Sequence, residues 1–157
     1  MSRTLRSRTW PDHPALATTV PVTVPFQDAD PTGVAWHGNY FRYYDQARVD
    51  LLARLGFGYR EMAAYGQIWP IVDTRVRYLK SIAFGTTVNV YAQIVEWEFR
   101  LRIYYRITDQ NDTLLNEAFT IQVPVDAATE NLIIGAPAHL IERIDALIDS
   151  NTGSAGS

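Results

Sequence analysis

Residues 28–56 read Asp-Ala-Asp-Pro-Thr-Gly-Val-Ala-Trp-His-Gly-Asn-Tyr-Phe-Arg-Tyr-Tyr-Asp-Gln-Ala-Arg-Val-Asp-Leu-Leu-Ala-Arg-Leu-Gly. The first six are turn formers. The longest helical pattern of the chain follows. Tyr40, Tyr44, Ala47, Leu51 and Leu55 recur every three or four residues, and Phe41, Tyr43 and Leu52 widen the stripe. Asn39 suits the N-cap and Gly56 the stop. A stripe this broad and aromatic predicts a helix largely wrapped by other structure.

Upstream, Val20, Val22, Val24 and Phe26 alternate with smaller or polar residues, which predicts a strand over 20–28. Pro21 and Pro25 push it to a sheet edge. Downstream come four alternating runs, led by Val72 to Tyr78, Val88 to Ile94, Phe99 to Ile107 and Leu115 to Val123. In the last run Leu115, Phe119, Ile121 and Val123 set the apolar face, and Glu117 breaks it. Asp109-Gln110-Asn111-Asp112 is the turn of a hairpin between the last two. Residues 137–149 read as a short terminal helix. The order β-loop-α-β-β-β-β-α, with clean alternation, predicts an antiparallel sheet around one long helix, an α+β architecture.

The chain has 157 residues, enough for one domain: a loose arm over 1–18, a folded unit over 19–149 and a polar tail over 150–157. Apolar residues make up 47% and charged residues 20%, which excludes a disordered or fibrous protein. The absence of cysteine excludes disulfides, thiolate nucleophiles and iron–sulfur clusters. A net charge of -3 gives no reason to expect a nucleic-acid partner. No apolar run reaches the ~18 residues of a membrane span. Met1 to Pro14 are basic and Ser/Thr-rich, without the apolar core of a secretory signal, so the expectation is a cytoplasmic protein.

Familiar motifs fail. There is no G-x-S-x-G, HExxH or Walker A sequence. Gly56-Phe57-Gly58 follows a helix instead of a strand and lacks the third glycine of a dinucleotide site. Asp28-x-Asp30-x-Thr32-Gly33 imitates the start of a calcium loop, but its twelfth position is Asn39, where a bidentate Glu belongs. No metal and no cofactor are expected.

The chemistry gathers between residues 28 and 48. Two acids, a histidine and a helix start lie within a dozen residues. Free N–H groups at a helix start can hold a developing oxyanion, an Asp beside them can attack an acyl carbon or orient water, and His37 can relay a proton. The plainer reading stands beside this. Asp28 and Asp30 are also ordinary turn residues, His37 an ordinary polar residue near a cap, Asp45 and Arg48 a surface pair, and Trp36 and Tyr40 core.

The run from Asp28 to Tyr40, followed by Asp45-x-Ala47-Arg48 and Gly56, resembles the signature of the hotdog-fold acyl-CoA thioesterases. Within them it is similar to the 4-hydroxybenzoyl-CoA thioesterase family with its Tol-Pal-associated members. The resemblance implies a single hotdog domain over about residues 20–148. It implies hydrolysis of an acyl-CoA or acyl carrier protein thioester, with Asp30 as nucleophile or general base, His37 as proton relay and the His37 N–H polarising the carbonyl. Asp28 would support the loop, and Asp45 and Arg48 would be structural. Gly33, Val34, Trp36, Gly38, Asn39, Tyr40, Tyr78, Lys80 and Ser81 would contact substrate. A homo-oligomer, dimer or tetramer, is implied as well. Where some relatives carry a basic cluster after the tryptophan matching Trp97, this chain reads Glu98-Phe99-Arg100-Leu101-Arg102, a departure that leaves carrier protein open as the acyl donor. A hotdog dehydratase and a non-catalytic acyl-thioester binder are the alternatives.

Overall fold

The computed structural model describes residues 4–155, with side chains through Ser150. After a 3-10 turn at Pro14–Leu16 comes β1 (Ala17–Thr23), then a loop with two further 3-10 turns, and α1 (Tyr40–Arg54). A short α2 (Tyr59–Ala64) and β2 (Gln67–Ile68) lead to β3 (Ile71–Tyr78), β4 (Thr87–Glu96), β5 (Leu101–Thr108) and β6 (Leu114–Gln122). β7 (Val125–Asp126) and α3 (Ala138–Ala155) complete the order. Helix α3 thus runs past residue 149, where the sequence reading ended it. Residues 156 and 157 of the expected tail lie outside the described residues, as do 1–3 of the arm.

Five strands form one antiparallel sheet in the order β1-β4-β5-β6-β3. The expected edge position of β1 is met: Pro21 sits opposite Asn89 with no neighbour on its other side. The small β2–β7 pair has no counterpart in the sequence reading, because two-residue strands carry no periodicity.

Helix α1 ends as its glycine dictates. Gly56 has φ +70°, its N–H bonds Ala53 O at 3.1 Å, and Phe57 N–H bonds Leu52 O at 2.9 Å. These two bonds make a Schellman motif, which needs the left-handed residue that glycine adopts freely. The inner face of the helix buries Tyr43, Tyr44, Ala47, Leu51 and Leu52 against Val90, Ala92 and Ile94 of β4 and Ile103 and Tyr105 of β5. Each buried leucine contributes about 1.5–3 kcal/mol. The wrapping is one-sided in the single chain, since Phe41 and Val49 stay about half exposed.

Two expectations are corrected. The side of β6 that carries Glu117, Phe119 and Ile121 does not face the helix. Glu117, Phe119 and Ile121 lie on the outer face, while Asn116, Ala118, Thr120 and Gln122 point inward. Interior partners explain this: Tyr44 Oη bonds Asn116, Tyr105 Oη pairs with Thr120 at 2.9 Å, and Gln122 donates to Trp69 O at 2.7 Å. Nor do the described residues of the arm hang loose. Thr4 Oγ1 and Leu5 N–H donate to the Glu117 carboxylate at 2.8 and 2.6 Å, and the Trp10 ring lies 6.0 Å from Tyr104 and 6.1 Å from Phe119. The outer face has its own cover.

Candidate active site

Asp28 and Asp30 open the loop that carries α1 to the sheet. Asp30 N–H bonds Val34 O at 2.8 Å and Gly33 N–H bonds Asp30 O at 3.0 Å, closing a tight turn in which Gly33 takes φ +84°. Thr32 donates twice to Asp30 Oδ1, from its N–H at 2.8 Å and its hydroxyl at 2.5 Å. Beyond the turn the chain docks on the loop after β3: Ala35 N–H bonds Ile82 O at 2.7 Å, and Phe84 N–H bonds Gly33 O at 3.0 Å.

The two acids part company here. Asp28 is buried, and its carboxylate accepts from Arg42 and, at 2.7 Å, from Tyr43 Oη. Burial pushes its pKa up, but those donors outweigh it and hold the carboxyl below the usual range. Its carbonyl accepts from Trp36 N–H at 2.9 Å and from Asn39 Nδ2 at 3.0 Å. Asp28 therefore ties loop to helix, the supporting role that the resemblance implied. Asp30 is only partly covered. The Thr32 side chain and N–H, with a smaller contribution from the Val34 N–H, hold its carboxyl below the ordinary range, and both Thr32 bonds fall on Oδ1. It is an ionised carboxylate fixed through Oδ1.

Asp30 faces a cavity of about 430 Å³. Val34, His37, Tyr40, Tyr78, Lys80 and Ser81 share its wall, so six of the expected contact and relay residues meet the seventh, Asp30, at one place. Ala35 and Leu79 complete the lining and were missed, because small and apolar residues in a loop carry no chemical signal. His37 and Asp30 share the cavity without a hydrogen bond between them. The His37 ring instead stands edge-on to Tyr78 at 5.6 Å and beside Trp36 at 5.4 Å. Tyr40 is buried, its ring 5.7 Å from Tyr78.

Gly33, Trp36, Gly38 and Asn39 do not line the cavity; they shape it. Gly38 lets Trp36 fold over the helix start, since a Cβ there would stand 2.3 Å from the indole ring. Asn39 is not the side-chain cap that the sequence suggested. Its backbone is already helical, and its amide reaches back to Asp28 O. The helix is entered through a 3-10 turn at His37–Asn39, with extended Trp36 as the capping position. This leaves the N–H groups of His37 and Gly38 at the very start, where no intrahelical carbonyl reaches them. Both sit at the positive end of α1.

Two residues gained importance that the sequence reading did not give them. Arg42 and Tyr43 hold Asp28. A buried acid in a loop demands donors, and the first turn of the next helix was the place to look. Asp45 and Arg48 do pair, at 2.7 Å, but Arg48 is buried and Asp45 exposed, so the pair is not a simple surface one. No group of three or more potential metal ligands exists among the described residues.

Such an architecture, a long helix held by an antiparallel sheet with an acid-bearing loop at its start, defines the hotdog class of acyl-thioester enzymes. The thioesterase-like superfamily matches residues 24–144, and the chain belongs to it. It is 27% identical over 107 residues to the acyl-CoA thioester hydrolase YbgC of Shigella flexneri, covering 68% of this chain and 80% of that protein. The solved DHNA-CoA thioesterase from Staphylococcus aureus is 26% identical with a TM-score of 0.73, over 86% of this chain and 95% of that one. A 4-hydroxybenzoyl CoA thioesterase variant, solved with 4-hydroxybenzoyl CoA, shares the fold with a TM-score of 0.71 at 23% identity, over 82% and 98% of the two chains.

Proposed function

We propose that this protein hydrolyses an acyl thioester, of CoA or of an acyl carrier protein, to the free acid and thiol. Asp30 attacks the acyl carbon or activates the water that does, and the His37 and Gly38 N–H groups polarise the carbonyl. The observation that carries this reading is Asp30 itself: an ionised carboxylate, fixed through Oδ1 by Thr32, on the same cavity wall as His37. A thiol with pKa near ~8.5 leaves readily, so a sparse site suffices. In the nucleophilic route Asp30 Oδ2 bonds the acyl carbon, the C–S bond breaks, and water cleaves the resulting anhydride. In the general-base route Oδ2 takes the proton of the attacking water. His37, exposed at the cavity mouth, is placed to return a proton to the leaving thiolate.

The names of the relatives support an acyl-CoA substrate. The homo-oligomer belongs to the same proposal. β3 is an edge strand with Ile71, Val72 and Tyr78 between 41% and 58% exposed, a surface suited to cover by a second copy. A soluble location in the cytoplasm completes the reading; no described helix is long and apolar enough to cross a membrane.

The test is free-thiol release from short, long and aromatic acyl-CoAs and from acyl carrier protein thioesters, with wild type beside Asp30→Asn. Turnover lost in the variant supports the assignment. Turnover unchanged in the variant removes Asp30 from the chemistry, and no turnover on any thioester favours a binding-only protein.

A further inference from the structure

The outer face of the sheet, away from α1, carries a groove of about 740 Å³ between the N-terminal arm and strands β4 and β5. Arg6 and Arg8 of the arm wall one side, and Tyr91 and Arg106 the other. The Arg106 guanidinium stacks 4.0 Å from the centre of the Tyr91 ring. Arg6 spends one donor on Pro11 O at 3.0 Å. None of the three guanidiniums lies within ion-pairing distance of a carboxylate among the described residues. The acids nearby are Asp112, which lines the groove, Asp12, whose field at Tyr91 opposes those of Arg106 and Arg6, and the buried Glu117, which stands opposite Arg106 on β6 and bonds the lining residues Thr4 and Tyr104.

The convergence is built by the fold. Glu117 is fully buried in the middle of the outer face and accepts from Thr4 Oγ1, Leu5 N–H and, at 2.6 Å, Tyr104 Oη. This carboxylate pins the arm, and the pinned arm sets Arg6 and Arg8 opposite Arg106. Three guanidiniums line one groove without an ion pair of their own among the described residues, so their N–H donors remain for an anion. Planar guanidiniums and flanking hydroxyls suit phosphate oxygens, which accept several N–H and O–H donors at once. A volume of this size holds a nucleotide-sized molecule. The groove also adjoins the candidate active site. Leu114 lines it, and the carbonyl of the next residue, Leu115, accepts the N–H groups of Leu79 and Lys80 at 3.0 and 2.9 Å. Lys80 is on the wall of the Asp30 cavity.

We propose that this outer groove binds the phosphate groups of a small phosphorylated molecule, with Arg8 and Arg106 as the gripping pair and Arg6 assisting. Two sources carry that chemistry: the nucleotide end of a CoA thioester reaching round the β5–β6 turn, or a free nucleotide. The first source rests on the proposed hydrolysis; the second does not.

Calorimetric titration of the full chain with pyrophosphate, ADP and CoA tests the proposal in wild type and in an Arg8→Gln/Arg106→Gln variant of matched thermal stability. Wild type binds the probes, more weakly as salt rises from about 50 to 200 mM, and the variant loses ADP affinity by about tenfold or more. No binding by wild type overturns the proposal, and so does ADP binding that the variant retains. Thiol release from matched acyl-CoA and acyl-pantetheine then separates the sources. A KM raised in the variant for acyl-CoA alone assigns the groove to the substrate's own nucleotide. Unchanged KM for both, with ADP binding lost, assigns it to a free nucleotide. If wild type turns over neither thioester, the hydrolytic reading fails while the titrations still decide the groove.

Discussion

Two carboxylates stand two residues apart and live in different worlds. Asp28 is buried, with both oxygens engaged by Arg42 and Tyr43. Asp30 is partly open, with Oδ1 held by Thr32. Both are held below the ordinary carboxylate range, yet for opposite uses. In Asp28 the donors exhaust the carboxylate and turn it into a structural tie. In Asp30 they fix the carboxylate on the wall of an open cavity. A perturbed acid is thus not a functional acid until its spare lone pairs are counted.

The sharpest break between the two comes from replacing each with asparagine. Asp30→Asn lowers kcat by about a hundredfold or more, the range for losing a base or nucleophile, and leaves the thermal midpoint near that of wild type, because the site is open. Thiol release and a melting curve check both halves. Asp28→Asn costs about 2 kcal/mol, the penalty for stranding buried donors, which lowers the midpoint by roughly 4–8 °C in a chain of this size. A lowered midpoint for Asp30→Asn with full activity would reverse the assignment.

The pH dependence sharpens the comparison. Asp28 has a depressed folded pKa, so its stabilisation is fully present above the unfolded value of ~3.9 and is lost as pH falls through the folded one. The stability gap between wild type and Asp28→Asn is therefore flat near neutrality and narrows in acid, as denaturant titrations at several pH values would show. The smallest effect concerns Thr32→Val, which removes the hydroxyl bond to Asp30 but keeps the N–H. The Asp30 pKa rises, and the acid limb of kcat/KM moves up by less than about one pH unit. An unmoved limb would mean that some other group controls it.

Much of this was legible in the residues. Alternation located five strands, Pro21 marked an edge and Gly56 ended the helix as its φ requires. The first strand, though, lies at Ala17–Thr23 and gives way to a 3-10 turn at Phe26–Asp28, where it was expected to run on to 28. The Asp30-Pro31-Thr32-Gly33 turn and the resemblance it carries brought Asp30, His37, Tyr78 and Lys80 to one cavity. What was not legible depended on partners distant in sequence. The side of β6 facing the core was decided by Tyr44 and Tyr105, which supply hydroxyls to Asn116 and Thr120. Asn39 gave up its capping role because Asp28 O offered it an acceptor eleven residues back. Glu117 looked like a flaw in an apolar face until residues 4 and 5 arrived to bond it.

That last bond spans 113 residues of sequence. On the ribosome the arm emerges well before β6 and has nothing to hold until that strand has been made and paired with its neighbours. Its arrival belongs to the end of folding, where long-range contacts are slow to form. Trp10, seated against Tyr104 and Phe119, is a built-in reporter of that moment. A fusion partner placed upstream of Thr4 would have to travel with the arm to its seat, so a tag at the other end of the chain leaves the closing step undisturbed.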